Sequence, residues 1–462
     1  MAAIADIASR NAKVVITVDT GISAHAAAEK ALELGVDFII TDHHQQLGDV
    51  PKAFAVVNPN RKDDVSGLGY LSGTGVAFYL ALAVRKILRE DNYFAQRGIA
   101  EPDIRQWLDL FAMGTVADCV DLVGENRPLV RAGLAQMLQT FRPGLAELIH
   151  RTLNTPQSIS VRDISFSIAP KLNAASRLGF AHISLDLLLE DDALQARELV
   201  NRIMQLNDER SQIQDKVFQE AFSQAKDQVE AHNPPVVVVQ GDWHEGVLGI
   251  VASKLVEKLG RPAIVLTKTA EEILRGSMRS KAYFSCVKGL SACTHLLNRF
   301  GGHKMAAGLQ LSPLKLKDFT ELLWSSANEF LGQISDAASL DSMFFDGALP
   351  MGISLDEVEK ISLMGPWGYG NPEPQFLIRG LVISQAQILK GQHLKWQRSD
   401  GADVIGFFKQ EEVKSLVEKG VEELEALVTP EVNRFRGNRV LQLRLNHVRP
   451  GRPASATFDM RL

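Results

Sequence analysis

The chain has 462 residues, 45% hydrophobic and 23% charged, the balance of a soluble globular protein and too long for one ordinary core, so roughly two to four domains are expected. A formal net charge of −5 does not mark out a nucleic-acid binder, nor does it exclude one, because a local basic face binds phosphate on an acidic protein. Three cysteines (Cys119, Cys286, Cys293) form neither a metal motif nor a disulfide framework, no apolar run nears the roughly 20 residues of a membrane span, and MAAIADIASRNAK lacks a secretory core, so a cytoplasmic protein without a membrane is expected.

KVVITVD (13–19) is a β-branched run that ends at Thr20-Gly21. SAHAAAEKALELG (23–35) has helical composition, with Ser23 as N-cap and Gly35 as stop. VDFIITD (36–42) and AFAVVNP (53–59) read as strands. Strand, helix and strand in close succession make a βαβ unit and imply a parallel sheet. Helical patterns follow at 74–90, 105–117 and 127–139.

From Phe180 to Asn233 there is neither glycine nor proline. The segment predicts one helix of about 40 residues, roughly 60 Å long and suited to bridging two lobes. Asn233-Pro234-Pro235 ends it. A second α/β unit begins with VVVVQG (236–241) and continues through a helix near 246–259. Strands PAIVL and ILRGSMRS, a helix at 288–299 and the stretch FGGHKMAAGLQL complete it. From about residue 340, short strands with turn signals surround one helix at 411–427 and suggest a small β-barrel.

Chemistry concentrates in two places. Asp19 ends one strand and Asp42-His43-His44 ends the next, and parallel sheets gather functional groups at the carboxyl ends of their strands. Aspartate with histidine and no cysteine suits Mn²⁺ or Mg²⁺ as well as zinc. A lone aspartate there is more often a cap or turn former, but the adjacent pair of histidines at the same edge favours metal. GTVADCVDL (114–122) adds Asp118 and Asp121. In the second unit, RGSMRS (275–280) puts Ser277 and Arg279 on one face of a strand, where hydroxyl and guanidinium can grip one phosphate. FGGHKMAAG (300–308) joins a glycine pair to His303 and Lys304, HEGVLGIVASKL (244–255) sets a glycine turn before a helix, and KLNAASRLG (171–179) offers Arg177. Each is weak alone, since such turns and arginines are usually structural or solvated.

Taken in order, VDTG (18–21), TDHH (41–44), GTVADCVDL, LNAASRLG, EGVLGIVASKL, GSMRS and GGHKMAAG resemble the DHH/DHHA1 phosphoesterase superfamily. Within it the chain is most similar to the single-stranded-DNA-specific 5′→3′ exonucleases, whose carboxyl-terminal OB-fold portion GPWGYGNPEPQF (365–376) and the closing VTPEVNRFRGNRVLQLRLNHVRP resemble. The resemblance implies an α/β protein: a DHH phosphoesterase domain over 1–180, a connecting helix over 181–233, a DHHA1 domain over 234–335 and an OB-like β-barrel over 336–462. It implies that Asp19, His43, His44 and Asp118 form the catalytic metal site for a pair of Mn²⁺ or Mg²⁺ ions, with Asp42 orienting its neighbours. It implies further that Arg177, Ser277, Arg279 and His303 hold the backbone and 5′-phosphate of single-stranded DNA. Trp367, Tyr369 or Trp396 are stacking platforms on this reading and core residues on the plainer one. A helicase and a single-strand-binding protein are the implied partners, in DNA repair and recombination.

Three departures qualify these expectations. The family's D-x-D-x-D-G strand motif, which precedes VDTG in relatives, is not found here, so the DHH domain reads as lacking its N-terminal part. With few carboxylates left for two ions, nuclease activity of the chain is expected to be weak or absent. Ser176 and Met278 stand where relatives commonly have glycine, adding bulk beside the expected DNA path. The alternative function is a non-catalytic module that binds single-stranded DNA or a replication protein. A small-substrate phosphoesterase is a third reading, which the additional OB-like region opposes.

Overall fold

The computed structural model describes residues 2–46, 48–153, 156–332, 344–389, 393–435 and 438–451. The expected boundary at 335/336 and the end of the OB-like region at 452–462 lie outside the described residues. The chain forms two compact units, one of Met1–Thr140, Pro156–Ser165 and Met343–Leu462, the other of Phe141–Thr155 and Phe166–Ser342.

In the first unit β1 (Val14–Val18), β2 (Asp37–Thr41) and β3 (Ala55–Val57) form a parallel sheet in that order. Val14 pairs with Asp37 and Val18 with Thr41, so both strands end level, and Asp19 and Asp42 leave the sheet at one edge. Phe38 and Ile40 alternate onto a face buried with Ile4, Ala28, Ala31 and Val36. Helix His25–Glu33 starts later than the sequence predicts: Ala24, not Ser23, is its cap residue, and no side-chain cap bond forms. Gly35 does stop it, in a left-handed conformation at φ 65°. Helices Gly73–Glu90, Leu108–Ala117 and Asn126–Met137 follow at the expected places.

The second unit contains helix Ala193–His232, 40 residues long. Asp192 caps it by accepting from the Leu194 and Gln195 N–H groups, and Asn233 ends it at φ 43°. Strands β4 (Val237–Gly241), β5 (Ala263–Lys268), β6 (Leu274–Arg279), β7 (Leu297–Gly302) and β8 (Ala306–Leu311) lie in the order β4-β5-β6-β8-β7. The first pair is parallel and the others antiparallel. The run of valines before Gln240 is explained by cover on both faces. Val237 and Val239 pack with Val217, Ala221 and Leu255, whereas Val236 and Val238 pack with Phe284, Phe319 and Leu323. The helix expected at 288–299 is shorter, Cys286–Ala292, and Leu297 opens β7 instead. Pairing of Gly301 with Gly308 and Gly302 with Ala307 closes the hairpin that draws this segment into the sheet.

The C-terminal part of the first unit is a seven-stranded sheet. Its strands are β9 (Gly347–Ala348), β10 (Phe376–Val382), β11 (Gln387–Leu389), β12 (His393–Gln397), β13 (Asp403–Gly406), β14 (Glu423–Phe435) and β15 (Asn438–Pro450), in the order β11-β12-β13-β15-β14-β10-β9. The helix expected to reach residue 427 ends at Val417. Gly420 turns the chain at φ 76°, and Leu424, Ala426 and Val428 are then buried at a period of two, which a strand provides and a helix does not. The molecule is thus an α/β protein with a parallel-sheet first domain, a long helix, a mixed-sheet domain and a C-terminal β-domain. Among the described residues no helix is long and apolar enough to cross a membrane.

Candidate metal centre and anion site

The candidate metal centre is organised by an acid that is itself almost fully covered. The Asp42 side chain is 2% exposed. Its Oδ2 accepts from the Ile22 N–H at 2.8 Å. Its Oδ1 accepts from the backbone N–H of His43 at 2.7 Å and of His44 at 3.1 Å, and from His44 Nδ1 at 2.7 Å. Burial alone would raise its pKa, but the donors, led by Ile22, outweigh burial and hold the carboxyl below its ordinary value. Asp42 thus accepts four hydrogen bonds, three of them from the two histidines that follow.

Asp19 ends β1 in a left-handed conformation, φ 65°, which a β-carbon resists. Gly73, opening the facing helix, admits it: a Cβ on Gly73 would stand 2.4 Å from Asp19 Cβ. Asp118 caps the end of helix Leu108–Ala117. His43 Nε2 lies 3.0 Å from Asp19 Oδ1 and 3.3 Å from Asp118 Oδ2. Apart from these two carboxylates this buried nitrogen has no hydrogen-bond partner. The adjacent Asp19 raises the His43 pKa most, burial opposes it, and the field of Asp118 adds to the rise. Among the described residues Asp19, His43 and His44 form the group whose donor atoms converge, within 4.8 Å of one another. An imidazole nitrogen facing two carboxylates and otherwise unpartnered, with a second imidazole alongside, fits a divalent cation that takes oxygen and nitrogen donors. Neither Asp118 nor Asp121 is in this group: Asp118 approaches it through His43 Nε2, and Asp121 lies against Gly370.

Residues of the second unit expected to read phosphate are also close to one another. Along β6, Ser277 and Arg279 share a face, and Arg279 Nη1 donates to Ser277 Oγ at 2.7 Å. Gly249, in the first turn of helix Leu248–Leu259, leaves room for both: a Cβ there would meet Arg279 Nη2 at 2.7 Å and Ser277 Oγ at 3.2 Å. Arg177 Nη1 donates to the Gly246 carbonyl at 3.1 Å in the turn before that helix. Burial lowers the pKa of Arg279 and of Arg177, the latter with help from the positive charge of Arg210. Arg210, on the long helix, had no motif to flag it in the sequence. His303 is exposed, and its N–H donates to the carbonyl of Ala306, the residue paired with Arg279.

Two expectations need correction. Met278 is fully buried in the sheet core, on the face opposite Ser277, so it adds no bulk beside Ser277 and Arg279. Trp396 is a core residue, 2% exposed, with Nε1 donating to the Val382 carbonyl, and offers no stacking surface. Ser176 is exposed and turns its hydroxyl back to the Asn173 carbonyl. Tyr369 is 69% exposed.

The fold is that of the DHH/DHHA1 superfamily. Residues 2–115 match the DHH family N-terminal domain and residues 233–329 the DHHA1 domain. Residues 345–447 match the RecJ OB domain. The single-stranded-DNA-specific exonuclease RecJ of Dickeya dadantii is 35% identical over 461 residues, covering 97% of this chain and 79% of the relative. The Escherichia coli protein of the same name is 34% identical over 455 residues, covering 96% and 78%. The crystal structure of Thermus thermophilus RecJ in complex with Mn²⁺ superimposes with a TM-score of 0.80 at 30% identity, covering 97% of this chain and 64% of that one. Its Mg²⁺ complex gives 0.73 at 28% identity, covering 98% and 70%. The chain belongs to the RecJ family.

Proposed function

We propose that the chain is a single-stranded-DNA-specific 5′→3′ exonuclease that hydrolyses phosphodiester bonds with Mn²⁺ or Mg²⁺, in DNA repair and recombination. The observation that carries this reading is the buried His43 Nε2, within 3.3 Å of both Asp19 and Asp118 and without another hydrogen-bond partner. Asp19, His43, His44 and Asp118 would hold the ions, which when bound activate a water and stabilise the leaving oxygen. Asp42 keeps the two histidines in place. Arg177, Ser277, Arg279 and His303 grip the DNA backbone and its 5′-phosphate by charge-assisted hydrogen bonds. A helicase and a single-strand-binding protein would present the strand.

Purified protein, a 5′-phosphorylated single strand and Mn²⁺ test this reading. The expected result is release of mononucleotides from the 5′ end, abolished by His43→Ala. Equal digestion of duplex DNA, or indifference to His43→Ala, would defeat it. The alternative is a non-catalytic module that binds single-stranded DNA or a replication protein. Tight DNA binding with no Mn²⁺-dependent product would decide for it.

A further inference from the structure

The segment that carries Asp118 away from its helix is held by the β-domain. Helix Leu108–Ala117 ends with the Asp118 N–H donating to the Gly114 carbonyl, and the next residue, Cys119, is left-handed at φ 57°. For a residue with a β-carbon this conformation is strained, and it persists only where the surroundings impose it. Three residues on, Leu122 is 2% exposed, and its N–H donates to the Tyr369 carbonyl at 2.7 Å. Gly368 lies against the Leu122 side chain, where a Cβ would stand 2.7 Å from Cδ1. Gly370, at φ 71°, lies against Asp121, where a Cβ would stand 2.8 Å from both Cβ and Oδ1. From the other side the buried Asn126 amide donates to the Asp121 carbonyl at 2.9 Å and to the Tyr70 carbonyl at 2.7 Å.

The turn that grips Leu122 is itself fixed. Gly368 and Asn371 exchange backbone hydrogen bonds at 2.9 and 3.2 Å. The Asn371 amide donates to the Pro366 carbonyl at 2.9 Å. Arg131 donates to the carbonyls of Leu363, at 2.7 Å, and Gly365, and Arg127 donates to that of Met364. These carbonyls follow the end of helix Leu355–Ser362, where the helix dipole also favours cations. Both arginines lie on helix Asn126–Met137, which begins where the Asp118 segment ends.

We infer that the 363–371 turn is a positioning element for the metal centre, holding the Asp118–Leu122 segment so that the Asp118 carboxylate stays beside His43. The β-domain then acts on metal affinity, in addition to any DNA it binds. The inference rests on the reading of Asp118 as a metal ligand, and its test separates the two.

Mn²⁺ binding to the 462-residue chain, followed by the electron paramagnetic resonance signal of the free ion, is compared among the parent, Asp118→Asn, Gly370→Val, Arg131→Ala and Arg131→Lys. Hydrogen exchange of the peptide covering 117–125 is measured alongside. Gly370→Val is expected to speed exchange there and weaken Mn²⁺ binding by about 10-fold, the lower end of what losing a ligand's support costs. Arg131→Ala should do the same more mildly, and Arg131→Lys should restore most of the loss. If Gly370→Val and Arg131→Ala loosen the segment while Mn²⁺ affinity stays within about twofold of the parent and Asp118→Asn lowers it, the positioning role is wrong. If the variants leave exchange of 117–125 unchanged, the turn does not hold the segment and the inference fails. A parent that binds no Mn²⁺, or an Asp118→Asn variant that binds it as the parent does, overturns the ligand reading and the inference with it.

Discussion

The metal centre of the first unit and the arginine cluster of the second reach order by opposite means. The centre collects side chains from separate segments, and one buried carboxylate, Asp42, takes four hydrogen bonds to align them. Two of its turns, at Asp19 and Cys119, are backbone-strained. The cluster uses the regular spacing of β6, with Ser277 and Arg279 two residues apart opposite Gly308 and Ala306. Its cations remain charged although partly buried, because guanidinium holds its proton far above neutral pH. An assembly of loops around one acceptor should fail as a whole, whereas a strand face should fail one residue at a time.

The strongest test of that difference is Asp42→Ala. It leaves the buried Ile22 N–H without its acceptor, at about 1–3 kcal/mol, and the part-buried N–H groups of His43 and His44 as well, at less. Urea denaturation should show a loss of about 2–4 kcal/mol, and Mn²⁺ affinity should fall about 10–100-fold. A variant of parental stability would break the comparison. Arg279→Ala comes next. It should weaken binding of a 5′-phosphorylated single strand by about 1.5–3 kcal/mol, measured by fluorescence anisotropy at fixed salt, and leave stability and Mn²⁺ affinity nearly unchanged. An equal loss with a 5′-hydroxyl strand would show that Arg279 reads the backbone and not the end.

The smallest expected effect is on pH. The His43 pKa is raised by Asp19 and Asp118, so in the metal-free protein its added stability is fully present below the unfolded value of about 6.5. That stability is lost as the pH rises through the folded pKa. Thermal melts in chelator between pH 5.5 and 8.5 should show this slope in the parent and not in His43→Gln. With Mn²⁺ present the dependence should reverse, because the ion requires the neutral ring. The arginine cluster should contribute no slope over the same range.

The elements were legible where pattern and packing agree. The valines before Gln240 and the glycine-free stretch up to Asn233 became a strand and a 40-residue helix close to the expected limits. The sequence misled where long-range pairing decides. Residues 297–299 read as the end of a helix and are strand because Ala306–Leu311 pairs with β7, and 423–427 became β14 for the same reason. Within the site, the spacing of the aspartates and histidines drew attention to Asp19, His43 and Asp118, but which atoms meet depends on the level ends of β1 and β2 and on a helix terminus far along the chain. Arg210 and the grip of Tyr369 on Leu122 could not be read from spacing, since each depends on a contact between distant segments.

Gly73 bears on how this region tolerates change. Replacing Asp19 by asparagine would alter charge at nearly constant shape, and the sheet and helix could keep their places. Any residue larger than glycine at 73 would put a Cβ 2.4 Å from Asp19, and either the helix or the strained end of β1 must move. Around this centre the position with no side chain is the harder one to vary, and a substitution map should show its deepest intolerance beside the chemistry as well as on it.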